Sequence, residues 1–164
     1  MSIEKLNNLS QMMDEAREKM QREAQEAFRV ACDEVFEAHP KLESFGWAQY
    51  TPYFNDGEPC TFSVNDLDTF TFGGVTLEGG VHLNESVYNY TTNRYEPCEP
   101  HVDSYETETP AGFDMPAAVA AMRAVLVVHG FLESNPEIAL GAFGDHVIVT
   151  VSRTGVDVTE CAHD

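Results

Sequence analysis

Cys98-Glu99-Pro100-His101 and Cys161-Ala162-His163 offer two thiols and two imidazoles, the donor set of a tetrahedral zinc site. The spacing suits that ion only in part. Cys-x-x-His can chelate, Cys-x-His is short for chelation by one turn, and Cys32 and Cys60 have no histidine nearby to match them. All four cysteines are therefore expected as free thiols, with no metal and no other cofactor. The acidic loops also lack the regular alternation of oxygen ligands that a calcium loop needs. No nucleophile stands beside a base, and no helical zincin motif is present. Gly73-Gly74 and Gly79-Gly80 lack the strand-to-helix setting of a phosphate-cradling loop. Gly144-Asp145-His146 sets an acid beside a histidine, but the pattern reads as a turn between a helix and a strand. The sequence therefore predicts a protein that is not an enzyme.

What remains for chemistry is charge and aromatic surface. The formal net charge is -19. Beyond residue 40 the only bases are Lys41, Arg94, Arg123 and Arg153, set against nineteen acidic side chains. Such a surface gains nothing from counterion release, so direct binding to DNA or RNA is not expected, and a partner protein with a basic surface is the natural complement. Tyr88, Tyr90, Tyr95 and Tyr105 lie among Glu96, Glu99, Asp103, Glu106 and Glu108. Tyrosine beside carboxylate can grip arginine or lysine by charge, hydrogen bond and cation–π contact, so these residues are the predicted partner-binding surface. Asp56 and Glu58 are a second predicted contact. An alternative is a binder of small phosphorylated ligands, which would draw on Lys41, Arg94, Arg123 and Arg153.

The elements that must hold these groups follow from periodicity. Residues 3–38 contain neither Gly nor Pro. Leu6, Leu9, Met13, Ala16, Met20, Ala24, Ala27, Ala31 and Val35 recur at spacings of three and four, a single apolar stripe on one helix that Pro40 stops. That helix either packs along the sheet of its own chain or pairs with another copy. Phe45–Phe54 and Pro59–Val64 flank Asn55-Asp56-Gly57-Glu58, the composition of a tight hairpin turn. Gly73-Gly74 marks a second hairpin or a bulge, and Arg153-Thr154-Gly155 joins two alternating strands into a third. Residues 79–114 show little periodicity and read as a long irregular acidic loop with one strand near Val81 to Val87. Asp114 is placed to cap a second helix with Pro116 in its first turn, and Val119, Met122, Leu126, His129 and Leu132 mark its buried face. Ser134-Asn135-Pro136-Glu137 starts a short helix ended by Gly141 or Gly144.

The predicted fold class is α+β: a long N-terminal helix, residues 1–40, and a second buried helix packed on a mainly antiparallel sheet of hairpins within one domain, residues 41–164. The N-terminus lacks the apolar segment of a secretory signal, and no apolar run of membrane-spanning length is expected. The chain is accordingly placed in the cytosol.

Two stretches, FGWAQYTPYFNDGEPCTFSV at 45–64 and FGDHVIVTVSRTGVDVTECAHD at 143–164, resemble a group of small uncharacterised proteins of tailed phages and bacteria. The shared features are the W-x-Q-Y-T-P-Y-F-N-D-G hairpin, the F-G-D-H-V strand and the H-D ending. The resemblance implies a viral or prophage setting and a host cytosol, and it implies no activity. In that setting the sequence is read as an inhibitor or adaptor that occupies a host protein, such as one of defence or of nucleic-acid binding. A sponge for a nucleotide signal of bacterial defence is the alternative, and a structural or assembly protein is a further one.

Overall fold

A computed structural model describes residues 2–54 and 56–161. In chain order the elements are α1 (Ile3–Ala38), β1 (Leu42–Tyr50), β2 (Ser63–Phe72), β3 (Val75–Glu78), β4 (His82–Asn89), β5 (Arg94–Asp103), α2 (Met115–Ser134), α3 (Pro136–Phe143), β6 (Val147–Ser152) and β7 (Gly155–Glu160). Five strands form an antiparallel sheet in the order β3-β2-β1-β6-β7, and β4 pairs with β5 in a separate antiparallel ribbon. The fold is α+β, as the sequence predicts.

Alternation along β1 sends Phe45, Trp47 and Gln49 to one face, where the helices lie. Trp47 is the hub. Its ring meets Phe28 of α1, His129 of α2 and Phe143 of α3, with centroids 6.4, 5.3 and 5.9 Å away. Phe36 of α1 stacks on Phe45 beside it. Leu67, Phe70, Val149 and Val151 extend the same buried face across the neighbouring strands. Gly46 points the other way, and a Cβ there would come 2.8 Å from both the Thr69 hydroxyl and the Val149 carbonyl oxygen. The central strand needs glycine because its neighbours close in on both sides.

Turn chemistry behaves as read. Gly73 and Gly74 take φ of 58° and 80°, the two left-handed residues of a two-residue hairpin loop. Asp114 caps α2 through the Ala117 amide at 3.3 Å with Pro116 in the first turn, and Gly144 follows the last turn of α3.

Four expectations change. First, the connection between β1 and β2 spans residues 51–62 rather than a tight turn at 55–58. Thr51 gives its amide to Asp145 instead of to β2, and Pro52 has none to give, so pairing stops at Tyr50. Asp56 and Gly57 still hold turn conformations, with φ of 39° and 88°, while Asn55 lies outside the described residues. Second, residues 79–114 are not an irregular loop, because β4 and β5 pair in a ribbon that takes up half of them. Third, α1 does not pack along its length: residues 2–20 are exposed, and only Phe28, Cys32, Val35 and Phe36 are buried. A helix of 36 residues is about 54 Å long, whereas the 9 or 10 residues of β1 and β2 extend about 30 Å, so the helix outruns the sheet. Fourth, Met115–Ser134 does reach membrane-spanning length and apolarity, with mean hydropathy 1.7 over its window. Here it is the helix with the most buried positions, yet Leu126 is not among them; Val125 and Val128 take the core side, and Val127 and Phe131 face out.

Candidate functional site

The ribbon of β4 and β5 is an arm. At its root Val102 is buried, Leu83 packs on the core cluster and the Val102 amide donates to the Met115 sulfur at 3.2 Å, which fixes the arm to α2. Arg123 of α2 clamps the outer edge by pairing with Glu85. Beyond this point the register shifts between Asn84 and Ser86, a bulge that bends the ribbon, and the strands run on into solvent.

The tip is built from within. Asn89 folds its carboxamide oxygen back onto the Thr91 and Thr92 amides at 2.9 and 3.3 Å, an Asx turn that closes the hairpin. Its amide nitrogen donates to Glu96 at 3.0 Å, and the Thr92 hydroxyl donates to the other Glu96 oxygen at 2.8 Å. The Asn89 bond, then the Thr92 bond, hold the Glu96 carboxyl below its usual range, so its charge is fixed at neutral pH. Tyr88 donates its hydroxyl to Asn93, which has φ of 54°. Tyr88 also sits edge-on between Tyr90 and Tyr95, with centroids 5.1 and 5.2 Å away. Tyr90 is 89% exposed and Tyr95 73%. At the end of the ribbon Glu96 and Tyr88 are thus held by hydrogen bonds, and the rings of Tyr90 and Tyr95 pack edge-on against Tyr88.

The predicted partner-binding residues do not form one patch. Tyr88, Tyr90, Tyr95 and Glu96 share the tip, with Glu99 exposed farther down β5. Asp103 ends that strand and Tyr105, Glu106 and Glu108 follow it, against the close of β3: Tyr105 and Glu106 donate their amides to the Gly79 and Glu78 carbonyls, and the Tyr105 ring lies 5.1 Å from His82. Asp56 and Glu58 are exposed on the connection after β1.

The bases are scattered too. Lys41 pairs with Asp114, whose carboxyl is held low first by that bond and then by the Ala117 amide. Arg123 pairs with Glu85, Arg153 reaches the His39 carbonyl at 2.9 Å across the Phe36 ring, and Arg94 opens β5 near the tip. They do not converge on a phosphate-sized site. Among the described residues no three His, Cys, Asp or Glu side chains are grouped to hold a metal, and His163 lies outside them.

The motif residues at the end of β1 and the start of β6 do converge. Gln49, fully buried, accepts from Trp47 Nε1 at 3.1 Å and donates to the Ala139 and Gly144 carbonyls at 3.1 and 2.6 Å. Asp145 accepts the Thr51 amide and hydroxyl at 2.8 and 2.7 Å and the His146 amide at 2.8 Å, and Tyr53 stacks on the His146 ring at 4.9 Å. Burial works against the Asp145 charge, but the Thr51 bonds, the His146 amide and the imidazole outweigh it and leave the carboxyl below its usual range. These residues latch the end of β1 to the α3–β6 junction.

No protein-family model, curated protein or solved structure matches the chain.

A cavity opens at the root of the arm. Asp66, His82, Tyr105, His129 and Glu133 line a hollow of about 330 Å³ between β2, the arm root and α2. His129 is 1% exposed, its Nδ1 lies 3.5 Å from the Glu133 carboxylate, and its Nε2 has no hydrogen-bond partner. Burial pulls the imidazole below its usual range, against the opposing pull of Glu133, the Asn65 backbone and Asp66. Spacing alone marked His129 only as a core residue.

Proposed function

We propose that the protein is a non-enzymatic binding protein that occupies a host protein with a basic surface, in a phage or prophage setting, and that the tip of the arm makes the contact. The observation that supports this reading is the cluster of Tyr88, Tyr90 and Tyr95 on one face of the ribbon, backed by the Asn89–Glu96–Thr92 network on the other and held out in solvent. Rigid tyrosines lose little freedom on binding, which lowers the entropic cost that usually weakens small interfaces. A carboxylate held on the other face of the same tip favours a cationic counterpart. The root stays on α2, so the body need not change shape on contact.

The test compares the intact chain with Tyr90→Ser and Tyr95→Ser as bait in host extract at low and high salt. A single host protein retained in stoichiometric amount, lost on either substitution and weakened by salt, is the expected result. Retention that ignores both substitutions would place the contact elsewhere.

A further inference from the structure

The exposed length of α1, residues 2–20, balances four acids against three bases and is strongly apolar on one side, which is unusual for a free helix in so acidic a protein. Leu6, Leu9, Met13 and Met20 share a face, and Met20 is 59% exposed. Farther down the same face the residues become small, at Ala24, Ala27 and Ala31. There, α2 lies alongside and contributes Val127, Val128 and Phe131 to an apolar groove of about 250 Å³. One end of the face is therefore bulky and exposed, and at the other Ala24 and Ala31 lean partly on the core while Ala27 and Val127, 73% exposed, leave the groove open.

We propose that this face is where a second copy of the chain docks, α1 against α1 and antiparallel, with the two-fold axis at Met20. That register sets Leu9 against Ala31 of the partner subunit, Met13 against the partner's Ala27, Ala16 against the partner's Ala24, and Met20 against its own copy. Each of these four layers is apolar, and in the outer ones a large side chain meets a small one, as interdigitating knobs and holes require. Leu9 and Met13 of each copy thereby fill the Val127–Phe131 groove of the other.

Charge selects the same orientation. Lys5, Met12 and Lys19 recur every seven residues along one edge of the stripe, and Glu23, Val30 and Glu37 recur every seven along that same edge. Antiparallel pairing brings edge to like edge. Lys5 then faces the partner's Glu37, Met12 the partner's Val30, and Lys19 the partner's Glu23, so base meets acid and apolar meets apolar. A parallel pair would put each bulky layer on itself and leave both hollows empty. An overlap from Lys5 to Glu37 runs about 48 Å at 1.5 Å per residue, ample for a stable two-helix seam.

The intact chain is tested by sedimentation equilibrium across a concentration series, with Met13→Glu and Met20→Glu as exposed, fold-preserving variants. The expected species has twice the 18.2 kDa chain mass. Each variant is expected to raise the dimer dissociation constant by about a hundredfold or more, with the far-ultraviolet circular dichroism unchanged. Orientation is read by oxidative cross-linking in a chain whose Cys60, Cys98 and Cys161 are serine. Leu9→Cys combined with Ala31→Cys should yield covalent dimer, and Leu9→Cys alone should not. A monomer at millimolar concentration, a dimer indifferent to Met20→Glu, or efficient cross-linking of Leu9→Cys alone would each overturn the proposal.

Discussion

Replacing Gln49 by leucine isolates the latch that ties β1 to the α3–β6 junction. The side chain is fully buried and makes three hydrogen bonds, one accepted from Trp47 and two donated to the carbonyls of Ala139 and Gly144. Leucine fills most of the same volume but strands the indole N–H in the core, which costs about 1–3 kcal/mol, and forfeits the two carbonyl bonds at about 1 kcal/mol each. Burial of the extra apolar carbon returns about 1 kcal/mol. The expected net loss is about 3 kcal/mol, or about 6–12 °C in Tm for a chain of this size. Urea unfolding followed by far-ultraviolet circular dichroism measures it, since Trp47 is the single tryptophan, and a double-mutant cycle with Trp47→Phe apportions it. Removing the indole donor as well spares the second substitution its orphan, so the two changes should cost about 1–2 kcal/mol less together than the sum of each alone. If Gln49→Leu falls within 1 kcal/mol of the parent, or the two changes simply add, the latch is not held by these bonds.

Thiol reactivity should divide the cysteines. Burial pushes the Cys32 thiol up to about 12, with Asp33 adding to it, so at pH 8 a maleimide is expected to label exposed Cys60 and leave Cys32 untouched until the chain unfolds; labelling of Cys32 in the native protein would refute its place in the core. His129 should make stability fall in mild acid. Its native pKa lies below the ordinary 6.5, so as pH drops through 6.5 the unfolded chain takes up a proton that the native state refuses, and the unfolded state gains. Urea midpoints measured from pH 8 to pH 5 should decline for the parent and decline less for His129→Leu; parallel slopes would contradict this.

The sequence was most informative where one local rule decides the structure. The cap at Asp114, the paired glycines at 73 and 74 and the alternating strands on either side of Arg153 need only their own neighbours, and each is found where its pattern places it. The arm escaped because both faces of most of its length meet solvent, so β4 and β5 carry no apolar alternation, and Pro97 and Pro100 within β5 argue against a strand. Its tyrosines and Glu96 were legible as residue types, but Asn89 was not, since its role depends on a turn that composition does not announce. The latch was hidden for the opposite reason: Gln49 meets Gly144 across a separation of 95 residues, and nothing local distinguishes a buried glutamine from an exposed one. Periodicity revealed the stripe on α1 but not what covers it, because a helix repeat is the same whether the neighbour is a sheet, a second copy or water.

The bulge after Asn84 also divides the chain into parts that selection can treat separately. Inward of it, Val102 and Leu83 belong to the core cluster, and any change is felt by α2 and through it by Trp47. Outward of it, among the described residues, the side-chain hydrogen bonds from Ser86 to Pro97 stay within that segment, so substitutions there are expected to leave the core in place. Such a segment can accumulate change at the pace of whatever it meets, while the latch around Gln49 stays fixed. Related sequences should therefore agree at Trp47, Gln49, Gly144 and Asp145 and diverge most between residues 86 and 97.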